Sequence, residues 1–119
     1  MEKKVALFAA TLLHSATNAH FFHWSTKSYS KHVALGEYYD EIVDAVDAYV
    51  ECYMGIYGKL GSFPNCYHEP KEPLKYLESL QSFIKDAKPD LPKDSELVNL
   101  CDAIADLINT TVYKLKFLE

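Results

Sequence analysis

Apolar residues recur at three- and four-residue steps in four separate stretches of this chain, and that period is the helical one. In the first stretch Val5, Phe8, Ala9, Leu12, Ala16 and Ala19 form one stripe, predicting α1 over about residues 3–26. Leu7, Ala10 and Phe21 add a second apolar area on its far side, as expected of a helix that packs on two sides. The second stripe holds Tyr38, Tyr39, Ile42, Val43, Val46, Tyr49, Val50, Tyr53 and Tyr57, predicting α2 over about 33–59. Tyr76, Leu77, Leu80, Phe83, Ile84 and Ala87 predict α3 over about 73–87, with Pro73 in its first turn. The last stripe is Leu97, Leu100, Cys101, Ile104, Leu107, Ile108, Val112, Leu115 and Leu118, predicting α4 over about 95–118 with Asp94 or Ser95 as its cap.

The breakers agree with this division. Only 4 Gly and 5 Pro are present, too few for the turns of a β-sandwich. Gly55, Gly58 and Gly61 weaken and end α2, and Pro89 and Pro92 stop α3. The connections between α1 and α2 and between α3 and α4 are short, so each pair forms an antiparallel hairpin. Residues 60–72, with Gly61, Pro64, Asn65 and Pro70, are long enough to cross the bundle. The expectation is a single all-α domain over 1–119, a four-helix bundle with the one long α2–α3 crossover of ferritin-like connectivity.

Charge narrows the function classes. All 12 basic residues are Lys, and Arg is the usual fork for phosphates and base edges, so nucleic acid is not an expected partner. The N-terminal apolar stretch is interrupted by Thr11, His14, Ser15, Thr17 and Asn18, too polar for a leader or a membrane span. Cys52, Cys66 and Cys101 form an odd set without a CxxC pair, the usage of a reduced, cytoplasmic setting. The net charge of −5 is local: His32 to Gly58 holds Glu37, Asp40, Glu41, Asp44, Asp47 and Glu51 and no Lys, and the rest sums to +1.

Two features carry chemistry. His20 and His23, three residues apart, fall on or beside the core stripe of α1, which predicts imidazoles turned inward that need partners. His32, placed in the α1–α2 connection, can fold back toward the same end. Glu37, Asp40, Asp44, Asp47 and Glu51 follow at steps of three and four, aligning five carboxylates on one face of α2. Like charges at such spacing cost roughly 0.2–0.5 kcal/mol per pair, a repulsion that a cation or a basic partner would relieve. Imidazole with carboxylate suits iron, manganese or zinc. The alternatives are histidines that only hydrogen-bond within the core and an acidic row that is only solvated. The Cys66-x-His68 pair in the long connection is a weak metal pattern, and no nucleophilic triad or phosphate loop is present.

The run His20-Phe21-Phe22-His23-Trp24, followed by Tyr29, His32, Leu35, Asp40 and Glu51, resembles the ferritin-like superfamily and in particular the Dps group of mini-ferritins. The chain also resembles short ferritin-like proteins of tailed bacteriophages, which would place it in a host cytoplasm. The resemblance implies iron bound between two subunits and oxidation of Fe(II). It matches His23 to the ligand on the first helix, Asp40 to the Asp on the second and Glu51 to a further carboxylate. Just after Leu35, where that group has a His, this chain has Gly36, with His32 one turn earlier; Gly55 stands where a further Glu is expected. The expected metal shell is thus His20, His23, His32, Glu37 and Asp40, completed across a homodimer or larger homo-oligomer, with Asp44, Asp47 and Glu51 as secondary ligands or as a guide for cations. The competing expectation is a non-catalytic helical oligomer that binds a small ligand or a basic protein.

Overall fold

The four stripes bury one another around a single core. A computed structural model describes all residues 1–119 and contains α1 (Glu2–Ser25), α2 (Tyr29–Tyr57), α3 (Pro73–Ala87), a 3-10 turn (Lys88–Asp90) and α4 (Ser95–Phe117). At 1.5 Å per residue the 29 residues of α2 span about 43 Å. The longest dimension of the molecule is 44 Å, so α2 runs its full length. α1 packs on α2 and α3, and α4 packs on α2 and α3.

Aromatic side chains tie three of these helices together. Phe8 of α1 meets Tyr49 of α2 at 5.1 Å between ring centroids and stacks on Phe83 of α3 at 6.2 Å. The expected core stripes are buried at Val5, Phe8, Ala9, Leu12 and Ala19 of α1 and at Tyr38, Ile42, Val46, Tyr49 and Tyr53 of α2. Ala34 and Leu35, inside the expected helix but ahead of its stripe, join them. Tyr57 and Leu118, placed in the stripes by spacing, are exposed where the helices end. Of the second apolar area on α1, Ala10 is buried while Leu7 and Phe21 are exposed.

Local chemistry sets the helix ends. α2 starts at Tyr29, four residues before the expected Val33, because the Ser28 hydroxyl accepts from the Lys31 backbone N–H and caps the first turn. His32 consequently lies in α2 and not in the connection. Gly58 ends α2 at φ +98, a left-handed value that favours glycine. The Glu72 carboxylate caps α3 through the N–H groups of Leu74 and Lys75. Asp94 occupies the N-cap position of α4 but its side chain makes no cap bond; it accepts from the Tyr57 hydroxyl instead.

Residues 58–72 run along α1. The Gly61 N–H donates to the Glu2 carboxylate, Cys66 Sγ lies 3.8 Å from Thr11 Oγ1, and the Tyr67 hydroxyl donates to Asn18 Oδ1 at 2.8 Å. Buried Asn18 also donates from Nδ2 to the His68 carbonyl and the Tyr76 hydroxyl. One amide thus fastens the connection and the start of α3 to α1, with both its N–H donors used and its oxygen accepting once. No helix of the structure is long and apolar enough to cross a membrane.

Candidate functional site

The last turn of α1 and the first turn of α2 meet across only Thr26, Lys27 and Ser28, and this hairpin brings the three histidines together. The His23 and His32 rings stack at 3.7 Å between centroids, 16° from parallel. His23 Nδ1 lies 2.6 Å from the His32 carbonyl, and His32 Nδ1 lies 2.8 Å from the His23 carbonyl. A carbonyl oxygen only accepts, so both Nδ1 atoms carry the proton and donate. In the neutral rings this leaves the lone pair on both Nε2 atoms. Histidines that bind metals use this arrangement, with one nitrogen on a backbone carbonyl and the other on the ion. The same pair of bonds has a structural use, because the His23 carbonyl is one of the unpaired acceptors at the end of α1.

His20 sits beside the pair without joining its hydrogen bonds. Its ring stacks on Tyr39 at 3.9 Å, lies 4.4 Å from Trp24 and 6.1 Å from His23. His20 and His23 are half-buried, and His32 is exposed. The sequence expectation that both α1 imidazoles point into the core is therefore corrected: they occupy the α1–α2 seam at the bundle end. A helical wheel gives a side chain's direction about one axis but not the depth at which the partner helix stops covering it.

Gly36 explains how the rings fit. A Cβ at Gly36 would lie 3.0 Å from His23 Cε1 and 3.1 Å from its Nδ1. The His23 ring therefore takes the space of any side chain at 36, and His32 supplies the second imidazole from one turn earlier. The period alone could not show this, since it carries no information on how closely another helix approaches.

The carboxylates are less concentrated than the histidines. Glu37, Asp40, Asp44, Asp47 and Glu51 are all exposed. Glu37 pairs with Lys114 of α4 at 2.9 Å. No three His, Cys, Asp or Glu side chains of the chain are grouped so as to hold a metal ion. Cys66 and His68 both face the cleft between α1 and α3 with His14, but Cys66 contacts Thr11 and the His68 carbonyl is held by Asn18.

A family model matches residues 23–115, beginning at His23 and taking in all of α2, α3 and nearly all of α4. This chain belongs to a family of unknown function, DUF5856. Within the DUF5856 match lie His23, His32, Gly36, Asp40 and Asn18's partners Tyr67, His68 and Tyr76. No curated protein and no solved structure matches the chain.

Ser15 and Asn18 are two of the three buried polar residues, with Thr111, to which the sequence reading gave no role. Ser15 donates to the Leu12 carbonyl, so the Tyr38 hydroxyl, 2.7 Å from Ser15 Oγ, donates to Ser15. Asn18 fastens the long connection. Both interrupt apolar periods, and a buried polar residue in a stripe is the one signal that could have marked them.

Proposed function

We propose that this protein is a ferritin-like metal-binding protein whose ion, iron foremost and manganese or zinc in its place, is held at the histidine end of the bundle. The carrying observation is the reciprocal bonding of His23 and His32, which fixes both tautomers with Nε2 as the free nitrogen. The path of residues 58–72 along α1, from Glu2 past Thr11 to Asn18, supports the ferritin-like crossover. His23 and His32 would be ligands, with Asp40 as the carboxylate one turn beyond Gly36. His20 and Glu37 would need to turn from Tyr39 and Lys114 to join them.

One chain offers too few donors, so the rest come from a second copy. Phe21, Trp24 and Tyr29 stand 50%, 67% and 80% exposed around the histidines, an apolar rim that fits a homodimer at this end. Asp44, Asp47 and Glu51, aligned along α2, would draw cations toward it.

An anaerobic Fe(II) titration by calorimetry tests the reading, with His23→Ala and His32→Ala as controls and circular dichroism to confirm folding. Saturable binding lost in both variants supports it. No binding by the wild-type dimer, or binding unchanged in both variants, sinks it and leaves the non-catalytic oligomer, for which the exposed aromatic rim is the binding surface. Oxygen uptake on admitting air then reports whether Fe(II) is also oxidised.

A further inference from the structure

Along the α1–α2 seam, away from the histidines, lies a half-open groove of about 320 Å³. Buried Ala10 and Val46 form its floor, and Leu13, Val50 and Phe63 line its sides. Leu13 and Phe63 are 47% and 60% exposed, so apolar surface continues from the floor out to solvent. Only two lining side chains are polar: Asp47 on the α2 side, and His14, whose ring meets Tyr67 edge-on at 5.3 Å.

The two helices that make the groove differ in charge. From Val5 to Thr26 the chain has no Lys, Asp or Glu. The exposed positions of α1 beyond Lys4 are Leu7, Leu13, Thr17, Phe21, Trp24 and Ser25. A helix face turned to water ordinarily carries charge, and its absence is what the centre of a protein interface shows. α2 is the reverse. Asp47 shares its face with Asp40, Asp44 and Glu51, and none of the four belongs to an ion pair of the molecule. No Lys lines the groove. It therefore has one uncharged side and one acidic side whose repulsion nothing within the chain relieves.

We propose that this groove docks an amphipathic helix of another protein, its apolar side on Ala10, Leu13 and Val46 and a row of Lys or Arg meeting Asp40, Asp44, Asp47 and Glu51. A channel between two packed helices has the direction and width that suit a third helix with apolar anchors at three- and four-residue steps. The unpaired acidic edge fixes the sign of the partner and its orientation. A second copy of this chain does not supply the basic row. α1 is uncharged over the matching length, α2 from His32 to Gly58 offers only acids, and α3 and α4 mix Lys with Glu and Asp. Docking here uses none of His20, His23 and His32, so it stands or falls apart from metal binding.

The probe is a fluorescein-labelled helical peptide of about 18 residues, with Leu at i, i+3, i+4 and i+7 spacing and Lys elsewhere. Binding is read by fluorescence anisotropy in buffer containing EDTA, which keeps the histidine end out of the measurement. One control peptide has Glu in place of Lys, and another has the same composition scrambled so that the leucines share no face. Expected is saturable 1:1 binding of the first peptide alone, weakening as salt is added. Leu13→Asn, and separately Asp47→Lys with Glu51→Lys, should each weaken it about tenfold or more while circular dichroism stays unchanged. Phe63→Asn, in the connection, takes the place of Leu13→Asn if that variant does not fold. The proposal is overturned if the folded wild-type protein does not bind the peptide at millimolar concentration, or if either control peptide binds as tightly. It is overturned too if the apolar variant leaves affinity unchanged, or if sedimentation shows a dimer that Leu13→Asn splits, since a second copy would then fill the groove.

Discussion

The two ends of the bundle solve opposite problems. At the histidine end the polar groups satisfy one another: each ring donates to the other's backbone, and what remains free is two ring nitrogens at the surface, rimmed by exposed aromatics. At the Tyr49 end the apolar groups are packed and what remains unpaired is a buried hydroxyl. The first end leaves its free groups at the surface, and the second leaves one inside the core. The difference teaches that exposure alone does not show where hydrogen-bonding capacity is left unspent in a helical bundle.

The comparison can be tested hardest where the histidine half is most fully satisfied. Asn18→Leu strips partners from the Tyr67 and Tyr76 hydroxyls and the His68 carbonyl at once, and should lower stability by about 3 kcal/mol in urea unfolding. A change under about 1 kcal/mol would mean that the long connection is held by other contacts.

Two tyrosines then give opposite signs for the same chemical change. Tyr38→Phe removes a hydroxyl bonded to Ser15 and should cost about 1 kcal/mol, whereas Tyr49→Phe removes an unpaired one and should gain about 1 kcal/mol. Equal effects would erase the distinction between the ends. Burial raises Tyr38, Tyr49 and Tyr76 above the usual tyrosine value. Folding therefore favours their protonated forms, so this stability is complete below about pH 10, where unfolded tyrosine titrates, and falls as pH rises beyond it. Alkaline unfolding monitored by tyrosinate absorbance should show all three ionising only as the fold is lost.

A smaller effect isolates the ring stack. Gly→Ala inside a helix ordinarily gains about 0.5–1 kcal/mol. Gly36→Ala should show no such gain, because its Cβ meets the His23 ring, and the gain should return in a His23→Ala background. A full gain in the wild-type background would show that the ring moves aside freely. The smallest effect belongs to Glu37, whose exposed pair with Lys114 should make Glu37→Gln worth no more than about 0.5 kcal/mol. A larger loss in thermal melts would mean that the carboxylate has a further partner at the histidine end.

Much of this protein could be read from its sequence for a physical reason. Helix positions, α3 over 73–87, the core stripes and the length of the α2–α3 connection follow from backbone periodicity and from Pro and Gly, which act over a few residues. The approach of His32 to His20 and His23 was also legible, since a hairpin this short leaves little freedom. Tertiary structure alone decided the rest. The Ser28 cap drew His32 into α2, the missing Cβ of Gly36 admitted the His23 ring, and Lys114 engaged Glu37. Only packing revealed that Tyr38 found a partner and Tyr49 did not. Spacing fixes which face of a helix a residue occupies, but whether a polar atom on that face is satisfied depends on distant residues brought within about 3 Å, and no local pattern encodes that distance.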